Sequence, residues 1–231
     1  MTSSTLSPSI RIFLILIIVT IFYFIYVASS RGVGDVVAHQ SRIIMDEWAS
    51  GKKTVDKREW NAAHQSLLSA LKLSPGNPDY LALLGNLYEW RVANKSLNSQ
   101  ETALEVIADY RMALEFYRRA LKQRPAYAFY WANIAVVKSI LGEVDQEYYQ
   151  AIERALVLGP WEPGVQLKIA DATLGVWYLL DDNGWDKMLT NVERGLESNP
   201  TKMMTIAKQA QVLNKLCGKL RRTEIMREYC K

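Results

Sequence analysis

Four segments of this chain close in the same way, each with a small residue five positions ahead of a proline: Ala70 before Pro75, Ala120 before Pro125, Ala155 before Pro160 and Gly195 before Pro200. Proline lacks an N–H and pushes the residue before it out of the helical region, so each of these points reads as a helix end. Upstream, Ala63 and Leu67, Ala113 and Tyr117, Tyr148 and Ile152, and Met188 and Val192 continue the same faces at helical spacing. A second set of helices alternates with the first, carrying Leu81, Leu84, Gly85 and Tyr88, then Trp131, Ile134 and Ala135, then Gln166, Ile169 and Ala170. One such helix pair cannot bury its apolar stripe alone. Pairs must stack, and small residues set how closely they do so. The chain is therefore read as all-α, with about four helix pairs.

These spacings resemble the tetratricopeptide repeat, whose pattern runs W-x2-L-G-x2-Y, then A-x3-F, then P. The resemblance covers about Asp35 to Pro200 and implies a helical solenoid. The prolines lie 50, 35 and 40 residues apart, so the units are not uniform. The extra length in the second is assigned to a polar loop, Arg91 to Ser99, before a helix opening at Asn98 with Glu101 three residues on. Lys138 stands where the pattern has an aromatic residue. The front helix of the first unit lies somewhere in Asp35 to Ser50 and aligns poorly. After Pro200 a helix to about Leu216, a break at Gly218 and a short helix from about Thr223 read as caps on the solenoid.

The N-terminal segment is of another kind. From Ile12 to Ala28 only Thr20 is polar, a run of 17 residues that reaches the lower length for a membrane-crossing helix. Tyr23 and Tyr26 suit the interfacial belt at its end. A cleavable signal peptide has a shorter apolar region, although Val27, Ala28 and Ser29 form a poor cleavage site, and the reading favours a retained anchor. The organisation is then a cytoplasmic tip and transmembrane anchor over residues 1–30, a repeat array of about four helix pairs over 31–200 and capping helices over 201–231. Arginines on the two sides of the anchor nearly balance, so the charge rule does not fix its orientation.

Chemistry is sparse. The net charge of +4 is concentrated at the end, where Lys202 to Lys231 holds eight Lys or Arg against Glu224 and Glu228. With no groove-reading motif this is a solvated terminal face, and no nucleic-acid partner is implied. Two histidines and two cysteines offer no zinc spacing, so neither metal nor cofactor is expected. No phosphate-binding glycine loop, H-E-x-x-H or G-x-S-x-G occurs, and no small-molecule substrate is evident. Asp181-Asp182 beside Asn183-Gly184 reads as a helix boundary, His64 as a packed or surface residue, and Trp60, Trp161, Trp177 and Trp185 as inter-helix packing more than sugar-stacking surfaces. No catalytic residue is assigned. Gly218 would let the chain turn back and bring Cys217 and Cys230 together as a disulfide, which leans toward an oxidising compartment.

Recognition is expected on the first helices of the pairs, which face the concave side of such an array. Opposite the stripe of Leu81, Leu84, Gly85 and Tyr88 lie Asp79, Ala82, Leu83, Asn86 and Trp90. The same construction gives Phe129, Asn133, Val136 and Ile140 in the next first helix, and Leu167, Lys168 and Asp171 in the one after. A peptide-binding groove is therefore expected at Asn86, Trp90, Asn133, Lys168 and Asp171. Asn86, Asn133 and Lys168 resemble part of the clamp by which some tetratricopeptide domains hold a C-terminal carboxylate. Two further basic positions of that clamp are Ala82 and Gly164, which puts terminal-carboxylate binding in doubt.

A narrower resemblance rests on Asn77-Pro78-Asp79-Tyr80-Leu81 through Gly85-Asn86-Leu87-Tyr88-Glu89-Trp90, on Tyr130-Trp131-Ala132-Asn133 and on Leu158-Gly159-Pro160-Trp161-Glu162-Pro163. These stretches, with the plan of anchor, short array and late cysteines, look like the VpsP-type proteins of bacterial exopolysaccharide gene clusters. That resemblance implies an inner-membrane protein supporting synthesis, assembly or export of a surface polysaccharide, and with the one apolar run and the late cysteine pair the leading expectation is a single-pass adaptor with protein partners and a periplasmic C-terminal domain. It supplies no catalytic residues. The competing readings are an adaptor in another envelope pathway, such as cytochrome maturation, and an enzyme acting on glycan.

Overall fold

The computed structural model describes residues 7–95, 102–220 and Cys230. Among them the regular structure is helical, in two compact units, Met1–Pro75 and Gly76–Lys231. The tetratricopeptide-like, all-α architecture is visible in how the helices pair.

The first unit holds α1 (Pro8–Ala49) and α2 (Lys57–Leu73). At 1.5 Å per residue the 42 residues of α1 extend about 63 Å. Its first half is exposed and is long and apolar enough to cross a membrane, a property that a single span and a signal sequence share. Its second half packs on α2 through Gly34, Ala38, Ser41, Ile44, Met45 and Trp48. The front helix of the first pair is thus the end of α1, and no break falls at residue 30. Two hydroxyls fasten the pair, Ser41 Oγ donating to the Ala63 carbonyl at 2.9 Å and Ser66 Oγ to that of Val37. Trp48 Nε1 adds a bond to Glu59 at 3.1 Å.

In the second unit α3 (Pro78–Lys95) pairs with α4 (Ala103–Gln123), α5 (Ala128–Ile140) with α6 (Gln146–Leu158), and α7 (Pro163–Leu174) with α8 (Asp182–Ser198). A 3-10 turn, Trp177–Leu179, precedes α8, and α9 (Pro200–Gln209) and α10 (Leu213–Lys219) follow it. α5 lies against α4 and α7, and α7 against α9. Residues of α7 to α10 close one apolar core around Leu174, Met188, Val192, Met203 and Leu216.

The four proline-terminated helices end in one backbone conformation. Ser74, Arg124, Gly159 and Asn199 have φ/ψ of −134/79, −140/75, −139/53 and −151/70 degrees. Each donates its N–H to the carbonyl of the small residue four positions back, namely Ala70, Ala120, Ala155 and Gly195. The following proline excludes a helical conformation at these residues, and the repeated ending is the consequence.

Several boundaries differ from expectation. Arg91 to Lys95 belong to α3, not to a loop, and Arg91 is held there by the buried Asp109 of α4 through Nε to Oδ2 at 2.5 Å. The Asn98 to Glu101 start lies outside the described residues. α4 opens instead at Thr102, whose N–H donates to Glu105 at 3.1 Å. Beyond Pro200 the break falls at Gln211, in the left-handed region at φ 55°, whereas Gly218 sits inside α10. The expected helix from Thr223 lies outside the described residues.

Two contacts set the core of the second unit. A Cβ on Gly85 would stand 2.6 Å from Cε1 and 2.8 Å from Cζ of Tyr117, a fully buried ring of α4. Lys138 is 1% exposed, and its ammonium lies 3.1 Å from Glu143, 2.8 Å from Asp145 and 3.1 Å from Glu147. Arg111 and Arg118 of α4 hold Glu143 and Glu147 from the other side, at 2.7 and 2.5 Å. The lysine in the aromatic position of the repeat is therefore the centre of a charge network joining α4, α5 and the start of α6.

Burial alone would raise Asp145, but the Lys138 ammonium and the Tyr148 N–H outweigh it and hold the carboxyl below its ordinary range. Glu147 is lowered by Arg118 first and also by Lys138. Both carboxylates stabilise the fold above the unfolded carboxylate pKa of about 4, and that contribution is lost as pH falls through their depressed folded values. Thermal unfolding from about pH 6 to pH 3 should show a steep acid loss of stability in the wild type and a shallower one in Lys138→Met. Equal slopes would remove Lys138 from this role. Gly85→Ala should destabilise by about 1–3 kcal/mol in chemical denaturation, because the buried ring has nowhere to move.

Candidate groove on the first helices

α3 presents Asn86, Glu89, Trp90 and Ala93 on successive turns, and with Tyr110 of α4 and Lys168 of α7 they line a cavity of about 440 Å3. Of the five residues expected in a groove, Asn86, Trp90 and Lys168 are brought together here. Asp171 stands one helical turn beyond Lys168, its residue reaching water while its carboxyl is partly desolvated by the neighbouring helices, and it acts electrostatically on both Glu89 and Tyr110.

Asn133 is not in this wall. It is 6% exposed, and its Oδ1 has no hydrogen-bond partner among the described residues. The helix that carries it is apolar nearly all round, from Ala128 to Val137, and such a helix is buried on every side. That composition is the signal that should have excluded Asn133 from an open groove. Asp79, placed on the same stripe as Asn86, is instead bonded to Arg124 at 3.0 Å and Tyr130 at 2.9 Å, where it ties α3 to the α4–α5 turn.

Glu89 and Tyr110 are the residues the sequence reading missed. The Tyr117 hydroxyl contacts both Asn86 Oδ1, at 2.5 Å, and Glu89 Oε1. A phenol has one proton, so it serves only one of them as donor at a time. Burial raises the Glu89 carboxyl above the ordinary carboxylate range, Lys168 and the Tyr117 hydroxyl oppose this, and Asp171 adds to it. Asp171 is raised as well, again by burial first and against Lys168. The same acidic surroundings, after burial, raise the Tyr110 phenol. Two carboxylates thus share the influence of one ammonium.

The other candidates resolve into structure. Asp181 caps α8 by accepting the Gly184 N–H at 2.7 Å. His64 stacks on Trp60 with ring centroids 4.9 Å apart, and Trp177 meets Trp185 edge-on at 6.0 Å beneath the Lys215 ammonium. Cys217 and Cys230 form a disulfide with Cα atoms 5.6 Å apart, against the core of α7 to α10. No group of three potential metal ligands occurs among the described residues.

Successive helix pairs stacked side by side, as in the second unit, define a helical repeat array of tetratricopeptide-like pattern. No family model matches the chain and no curated protein matches it. Among solved structures, the crystal structure of a thermophilic TPR protein in Thermus thermophilus is similar to it, at 19% identity and a TM-score of 0.40 over 76% of this chain and 99% of that one. The tetratricopeptide reading rests on the helix pairs themselves.

A carboxyl with a raised folded pKa favours the fold below its unfolded pKa of about 4.3, and that stability is lost as pH rises toward the folded value. Glu89→Gln should therefore raise the melting temperature at pH 7, with the gain closing near pH 4. A lower midpoint at pH 7 would show that the ionised carboxylate is satisfied in the fold.

Proposed function

We propose that this chain is a membrane-held adaptor that grips an extended segment of a partner protein in the groove of α3, α4 and α7, within the machinery that assembles or exports a bacterial exopolysaccharide. The observation that carries the reading is the cavity of about 440 Å3, where Asn86, Trp90 and Lys168 meet Glu89 and Tyr110. Its aromatic residues offer area, and its amide and charged groups offer hydrogen bonds to a peptide backbone or side chain. Core packing does not require this combination, since half-buried carboxylates with raised pKa values weaken a fold.

Placement at the inner membrane is supported by the exposed apolar half of α1, and a periplasmic domain by the Cys217–Cys230 disulfide, a bond that persists in oxidising compartments. The process is supported by the resemblance to VpsP-type proteins in the stretches around Tyr88, Trp131 and Trp161. A C-terminal carboxylate is a poor occupant for the groove, because it would meet Glu89 and Asp171.

A photo-crosslinking residue in place of Ala93, in cells making the polymer, should capture a protein of the polysaccharide machinery. The same probe in place of Glu153, an exposed position on α6, should not capture it. Capture of the same protein at equal yield from both positions would reject the groove. Capture at Ala93 of a component of an unrelated envelope pathway would reject the process.

A further inference from the structure

Resting on the groove reading above, we infer that the cavity takes a basic side chain of the partner segment, its cation held between Glu89 and Asp171 and its methylenes lying along Trp90 and Tyr110. The inference begins with charge. The lining residues and Asp171 together carry two carboxylates and one ammonium, Lys168. Lys168 acts on both acids, and both nevertheless remain above their ordinary range, each through burial first. A second cation beside them would favour the charged form of both acids, and among the described side chains of the unit Lys168 is the basic group that lines the cavity.

The neighbouring arginines are committed elsewhere. Arg91 is bound to Asp109 and lies over the Tyr88 ring at 4.7 Å, Arg118 is paired with Glu147, and Arg124 with Asp79. Among the described residues the charges leave room for one more cation, and the partner segment can supply it.

Shape and chemistry agree with this. Trp90 and Tyr110 come from two different helices of one pair and stand in the same wall as Glu89. Aromatic faces attract cations and cover the apolar stem of a long basic side chain. A guanidinium suits the place better than an ammonium, because its planar fork bonds a carboxylate with two parallel N–H groups and stacks on a ring. Asn86, whose Oδ1 is already in contact with Tyr117, lines the same cavity and keeps its amide N–H groups for the backbone of the segment. Lys168 sets the selectivity by repelling a second basic residue placed next to the first.

The test is selection of random dodecapeptides by the full chain in detergent micelles, followed by affinity measurement on the peptides recovered. The wild type should enrich peptides with Arg or Lys at one fixed position, and exchange of that residue for Gln should weaken binding about tenfold. Glu89→Gln and Asp171→Asn should still select peptides but without the basic position, their folds confirmed by circular dichroism. Parallel Arg-to-Lys exchanges in the peptide separate a fork-like contact from a point charge. Enrichment of acidic or uncharged peptides, abolished by Trp90→Ala, would overturn this inference and leave the groove reading standing. A basic preference unchanged in both carboxylate variants would also overturn it. Recovery of no peptide at all would overturn both.

Discussion

Tyr117 fills the space left by the absent side chain of Gly85, and the groove depends on that contact, since the same phenol delivers its hydroxyl to Asn86 and Glu89. If α3 and α4 stood farther apart, the ring would lose its seat and the hydroxyl its reach. Helix spacing within the pair and the polar geometry of the cavity wall are thus fixed by one pair of residues. The pattern of small and large residues in the repeat is usually read as packing. Here it also positions a carboxyl.

Much of the architecture is legible in the sequence because steric rules act locally. A proline five residues after a small residue dictates both the helix end and the buried crossing, and the four matching φ/ψ pairs follow from it. That Asn86, Trp90 and Lys168 share one cavity wall is legible because angular position on a helix of known packing stripe suffices to place them. Glu89 is not, since it lies about 90 degrees from the packed stripe, on the flank, and its place is settled by the Tyr117 hydroxyl from another helix. Tyr110 is missed because it belongs to a second helix, the kind assigned to packing. Asn133 fails for the opposite reason, as α5 has no open side from Tyr130 to Lys138.

The two charged centres of the second unit illustrate different uses of buried charge. At Lys138 three carboxylates surround one ammonium and two arginines close the network, so every member has an opposite partner at hydrogen-bond distance. At Glu89 the arrangement is incomplete, and burial outweighs the available cation. A completed network rigidifies the helices it joins, while an incomplete one leaves a buried group without full compensation. That both occur in a single run of helices explains why conspicuous charge in the sequence, such as Asp181-Asp182, is a poor guide to function without the partners that surround it.

The unbroken course of α1 gives its register a mechanical meaning. Because the apolar half and the half that packs on α2 are one rod, the first helix pair has no swivel with respect to the segment that would lie in lipid. Each residue added between the two halves turns the pair by about 100 degrees and lifts it by about 1.5 Å. Where the apolar half is held in a bilayer, the number of residues between Ala28 and Gly34 would act as a phase setting, choosing which side of the pair looks along the membrane plane and at what height. A flexible linker of the same length would leave both free.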